Sequence, residues 1–172
     1  MLWIPAANNP AASQELHPRR SGDWRGFSLR SEALNAQWEN VSVFFYVQLM
    51  DAEALQGKSL RPSHVRQADV DRFKMTLGAR ATLVPVDGRV YGSIMRLTYG
   101  EIDELYSEPS VSAYRPESVL AQMADGSADL ALCFILPTPP ARASRNFEYA
   151  TALQAVARKM RLPEIYVARI VG

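Results

Sequence analysis

Two Asp-Gly dipeptides constrain this chain more than any other feature. Asp87-Gly88 separates residues 81–86 from 90–97, and Asp125-Gly126 separates residues 114–123 from 128–136. The flanking segments carry β-branched, aromatic and aliphatic side chains at the density that favours strands. Asp and Gly tolerate the positive φ that a two-residue hairpin loop demands, so each pair predicts a hairpin. Leu130-Ala131-Leu132-Cys133-Phe134-Ile135-Leu136 is an unbroken apolar run, which reads as a central strand covered on both faces. Pro137, Pro139 and Pro140 end it.

The remaining elements follow from periodicity and punctuation. Val41-Ser42-Val43-Phe44-Phe45-Tyr46 reads as a buried strand, and residues 71–77 as another. Residues 50–55 start a short helix, with Asp51 and Glu53 at its positive end. Residues 57–69 are polar and read as loop. Thr98 and Glu101 form the pattern of a capping box, with Ile102 and Leu105 as the inner face of the helix that follows. That helix ends near Ser107, ahead of Pro109. Phe147, Ala150, Leu153, Ala157 and Met160 recur at helical spacing over residues 146–161. Residues 165–171 close the chain as a last strand or an extended tail. The sum is an α+β domain with a mostly antiparallel sheet, able to close into a small barrel, and two or three flanking helices.

Composition removes several classes of function. The chain has 172 residues, 48% of them hydrophobic and 22% charged, enough for one ordinary core without staples. A net charge of +1 gives no electrostatic footprint for nucleic acid. No 18-residue apolar stretch predicts a membrane span, and the start lacks a basic segment followed by a long apolar one. The expectation is a cytoplasmic protein. One cysteine, Cys133, and two histidines, His17 and His64, make no spaced ligand set, so no metal site is expected. Within its apolar run Cys133 reads as a small packed hydrophobe. No phosphate-binding loop or nucleophile elbow is present.

Residues 1–40 differ from the rest. They hold turn signals, no long periodic segment, and all three tryptophans, Trp3, Trp24 and Trp38. They read as an irregular N-terminal extension, part of which docks through its tryptophans, ahead of a domain spanning residues 41–172.

On the residues alone the reading stops there. The order of short motifs, however, resembles the gamma-glutamylcyclotransferase-like family. The strand ending at Tyr46 runs into Val47-Gln48-Leu49, where the family has a Tyr-Gly-Ser-Leu loop. Leu83-Val84-Pro85 and Val90-Tyr91-Gly92 match its central hairpin, and Glu101-Ile102-Asp103-Glu104-Leu105 its following helix. Glu108 stands where the family places its catalytic glutamate, and Tyr114 matches a nearby aromatic. Tyr149, Leu162-Pro163 and Tyr166 match the C-terminal pattern.

The resemblance implies cyclisation of a γ-glutamyl compound to 5-oxoproline, with no metal or organic cofactor. Glu108 would be the general acid and base, since one carboxylate near both nitrogens can take a proton from the attacking amine and return it to the leaving one. Tyr46, Val47, Gln48, Leu49, Tyr114 and Tyr149 would line the substrate site. Arg80 and Arg115 are candidate partners for a substrate carboxylate. The sequence departs from the family where Val47 and Gln48 replace Gly and Ser. Three readings therefore stay open: a cyclotransferase, a non-catalytic module binding a small molecule, and a hydrolase of another small amide.

Overall fold

The computed structural model describes residues 40–140 and 146–171. The extension expected over residues 1–40 lies outside the described residues, except for Asn40, which opens the first strand. Five strands, β1 (Asn40–Phe45), β2 (Ser63–Leu77), β3 (Ala81–Thr98), β4 (Arg115–Gln122) and β5 (Ala128–Ile135), close a barrel in the order β1-β3-β2-β4-β5. The helices are α1 (Ala52–Gln56), α2 (Tyr99–Ser107), α3 (Phe147–Lys159) and α4 (Glu164–Val167), with a 3-10 turn at Gln48–Met50. Four strand pairs are antiparallel. The fifth, β1 beside β5, is parallel and sets Val43 against Leu132 and Phe44 against Cys133. The paired residues are buried or half-buried, but β5 is not covered on both faces along its length as expected, because Leu130 is exposed. Cys133 is fully buried there, and burial pushes its thiol well above the ordinary range. Among the described residues no helix is long and apolar enough to cross a membrane.

The hairpin at Asp125-Gly126 forms as expected. Gly126 sits at φ +82° and its amide donates to the Met123 carbonyl at 2.9 Å. The other Asp-Gly pair does not reverse the chain. β3 runs straight through it for 18 residues, and the reversal lies at residues 78–80, where the Gly78 amide donates to the Arg80 carbonyl. Asp87-Gly88 is instead a bulge. Phe73 pairs with Pro85 and Asp71 with Arg89, so one residue of β2, Arg72, faces three of β3. Neither Asp87 nor Gly88 takes the positive φ that a tight turn would need; the left-handed residue here is Arg72 (φ +66°), and Gly88 supplies room instead, since a Cβ there would lie 2.8 Å from the Phe73 carbonyl oxygen.

Three further expectations are corrected. Residues 63–69 belong to β2 rather than to a loop. Their side chains are largely exposed, so polarity hid a strand whose backbone pairs with β3. Phe147 occupies the first helical position of α3 but is exposed, while Ala150, Leu153 and Ala157 carry the buried face. The C-terminus is neither strand nor extended tail through 164–167. It forms α4, which buries Tyr166 and Val167, with Ile170 buried just beyond it.

Gly92 lets β3 lie close against the end of β1. Phe45, the last residue of β1, is paired with Ser93. A Cβ at Gly92 would lie 2.0 Å from the Phe45 carbonyl oxygen and 3.0 Å from the Phe44 ring. Only glycine lets β3 pass the end of β1 this closely. The next residue, Ser93, is fully buried, and its hydroxyl donates to the Met50 carbonyl at 2.7 Å. The strand end and the turn that leaves it are thus both pinned to β3.

Candidate functional site

The pinned segment forms one wall of a cavity of about 370 Å3. That volume lies at the small end of ligand sites. Val47 lies in extended backbone (φ −119°, ψ −160°), which a β-branched residue adopts without strain. The loop therefore needs no glycine at this point. After Val47 the chain makes its 3-10 turn, closed by the Met50 amide on the Val47 carbonyl at 2.8 Å. The amides that open such a turn have no carbonyl partner within it, and no side chain caps them here.

Glu108 borders the same cavity. Its position is set from both ends of α2. At the N-terminus the capping box is complete: the Thr98 hydroxyl accepts from the Glu101 amide, and the Glu101 carboxylate accepts from the Thr98 amide. The Arg61 amide also donates to Glu101 at 2.7 Å. Burial alone would raise the Glu101 carboxyl, but these donors outweigh it and hold the group below its ordinary range. At the C-terminus Glu108 caps the helix with extended backbone (φ −59°, ψ 134°). Pro109 dictates this, since the residue before proline is pushed out of the helical region. The Val111 and Ser112 amides both return to the Glu108 carbonyl at 2.9 Å, which fixes the turn beyond it.

The Glu108 carboxylate is ion-paired with Lys58, whose ammonium donates to its two oxygens at 2.7 and 2.9 Å. Both side chains stay about two-fifths exposed. Lys58 lies two residues past α1, after the capping Gly57, and sits in the polar stretch that carried no sequence signal. Sequence reasoning did not find it. A pairing of residues fifty positions apart has no local signature.

The tyrosines divide into two kinds. The Tyr46 hydroxyl donates to the Phe134 carbonyl at 3.0 Å, and the Tyr114 hydroxyl to the Ala81 carbonyl at 2.6 Å. Both therefore spend their proton on the barrel while presenting ring and oxygen to the cavity. Tyr149 and Tyr106 also line it, and among the described residues neither hydroxyl has a hydrogen-bond partner. Tyr106 was not singled out from sequence. It stacks on Phe134 with ring centroids 3.6 Å apart and planes 12° from parallel. Burial raises all four phenols, and Tyr46, Tyr106 and Tyr149 well above their ordinary range, so they stay neutral at physiological pH.

All seven residues expected at a substrate site (Tyr46, Val47, Gln48, Leu49, Glu108, Tyr114 and Tyr149) border this one cavity. The two candidate arginines part company. Arg80, in the β2–β3 turn, lines the cavity. Arg115 does not; its guanidinium donates to the Ser112 and Tyr114 carbonyls, both at 2.8 Å. Among the described residues no group of acidic, histidine and cysteine side chains could hold a metal ion.

No family model matches the sequence, and no curated protein does. Solved structures do match. A structure named gamma-glutamyl cyclotransferase superposes with a TM-score of 0.65 at 16% identity, over 77% of this chain and 86% of that one. An uncharacterized protein from Homo sapiens gives a TM-score of 0.64 at 17% identity with the same coverage. YkqA from Bacillus subtilis gives 0.63 at 20% identity, over 87% of this chain but 58% of that one. At such identities the likeness is one of fold.

Proposed function

We propose that this chain, which has the gamma-glutamylcyclotransferase-like fold, cyclises a γ-glutamyl amine or peptide to 5-oxoproline with Glu108 as general acid and base. The observation that supports the reading most is a single cavity bordered by both the Glu108 side chain and the Tyr46–Leu49 loop. A loop filled by the larger Val47 and Gln48 would have favoured a closed, non-catalytic site. Instead the volume is open, and Val47 is unstrained.

The reaction needs few parts. The substrate's α-ammonium gives a proton to the Glu108 carboxylate. The freed amine attacks the γ-carbonyl carbon and closes a five-membered ring. The amide C–N bond then breaks as Glu108 returns the proton to the departing nitrogen. The products are 5-oxoproline and an amine, and Glu108 ends as it began. Negative charge develops on the γ-carbonyl oxygen during attack. The uncapped amides at the start of the 3-10 turn and the Tyr149 and Tyr106 hydroxyls are neutral donors available for it.

The bidentate hold of Lys58 on Glu108 favours a second reading, a module that binds a small molecule without converting it. The two are separated by incubating the protein with a panel of γ-glutamyl amides, amines and dipeptides and detecting 5-oxoproline. Release of 5-oxoproline supports the cyclotransferase. Release of glutamate marks a hydrolase, and binding without turnover marks the module.

A further inference from the structure

The three charged side chains lining the cavity do not balance: Lys58 and Arg80 are cations, and Glu108 is the one anion. Lys58 and Glu108 satisfy each other. Arg80 has no carboxylate partner among the described residues, and it shares the cavity wall with Tyr114. The turn that carries it is fixed. The Gly78 amide closes on the Arg80 carbonyl at 3.0 Å, and the Tyr114 hydroxyl holds the next carbonyl, that of Ala81. A guanidinium carried by a fixed turn at the wall of a mostly apolar cavity suits a planar anion, which it binds through paired N–H donors.

We propose that Arg80 receives the ligand's carboxylate and thereby sets which way round the ligand lies. This rests on the γ-glutamyl reading above and makes it more specific. A glutamyl head carries one carboxylate and one ammonium. With the carboxylate on Arg80, the ammonium goes to Glu108, the cavity's sole anion, and shares that carboxylate with Lys58. The γ-carbonyl is then left for the turn beginning at Gln48. The site selects a free α-carboxylate, and an ester or amide at that position is rejected. The departed Val47-Gln48 loop is relieved of the task of holding that carboxylate.

The test compares direct binding of 5-oxoproline and 5-oxoprolinamide by calorimetry, in the wild type, Arg80→Gln and Arg80→Lys. A hydrogen-bonded charge pair predicts that the wild type prefers the acid by about 10- to 100-fold. Arg80→Gln should lose the preference, and Arg80→Lys should keep part of it. An undiminished preference in Arg80→Gln overturns the assignment even if the protein turns over γ-glutamyl amides. So does a wild type that binds the two equally or binds neither. Conversely, an Arg80-dependent preference without any release of 5-oxoproline from γ-glutamyl compounds sustains the carboxylate site and refutes the cyclotransferase.

Discussion

The ammonium of Lys58, just past α1, meets both carboxylate oxygens of Glu108, just past α2, at 2.7 and 2.9 Å. The pair joins two segments fifty residues apart and fixes where the carboxylate sits at the cavity edge. Partial exposure limits its worth to stability to no more than about 1 kcal/mol. Its effect on turnover should be larger, because a general base displaced by an ångström loses much of its effect. Lys58→Met should leave the urea midpoint almost unchanged and lower kcat/KM by roughly tenfold or more, with Lys58→Arg recovering part of it. A loss of stability large enough to account for the lost rate would mean that the pair is merely structural.

Gly92 should be far less tolerant than Gly126. A methyl group at Gly92 meets backbone at 2.0 Å, whereas at Gly126 nothing lies within 4 Å and only the φ of +82° resists. Gly126→Ala should cost about 1 to 2 kcal/mol. Gly92→Ala should cost at least about 3 kcal/mol, since the end of β1 has to move. Chemical denaturation of both variants checks the order, and equal costs would show that β3 does not pass Phe45 as closely as described.

Thr98→Ala should destabilise by about 1 kcal/mol through loss of the N-cap. Its partner Glu101 supplies a pH signature. The folded protein holds the Glu101 carboxyl below its ordinary value of 4.5. The stabilisation is therefore complete above that value and is lost as pH falls through the lower folded-state one. The stability difference between wild type and Glu101→Gln should accordingly be largest near neutral pH and shrink on acidification below about pH 4.5. A difference that grows in acid would reverse the sign and contradict the donor arrangement around Glu101.

Val47→Gly combined with Gln48→Ser gives the loop the Gly and Ser of the family whose motifs the sequence resembles. Val47 is already in extended backbone, so the glycine relieves no strain and adds freedom to the unfolded chain. The double variant should lose about 0.5 to 1 kcal/mol and gain no activity that the wild type lacks. Activity appearing only in the variant would identify the loop as the defect of a degenerate site.

Much of the fold was legible because local chemistry and tertiary structure agree. The capping box, the Asp125-Gly126 hairpin and the apolar run around Cys133 each demand one local conformation, and the barrel accepts it. Asp87-Gly88 failed as a hairpin because its residues are compatible with two structures, and β2, whose polar start gave no strand signal, decides between them. The cavity residues were reached through motif order rather than through periodicity. Tyr46, Glu108 and Tyr149 are far apart in sequence, and only the packing of two helices against the barrel brings them to one cavity. Lys58 and Tyr106 had no motif to mark them. Their roles exist only in contacts made after folding, a bidentate ion pair and a ring stacked on Phe134.

The central claim is that Glu108 moves the protons of cyclisation. Glu108→Gln keeps the size of the side chain and part of its hydrogen bonding but removes the base. The direct measurement is the rate of 5-oxoproline release by wild type and Glu108→Gln, on the best substrate from the γ-glutamyl panel and at saturating concentration. The account predicts a fall of about 10² to 10⁴ in kcat with the fold intact by circular dichroism. Turnover by Glu108→Gln at the wild-type rate would contradict it.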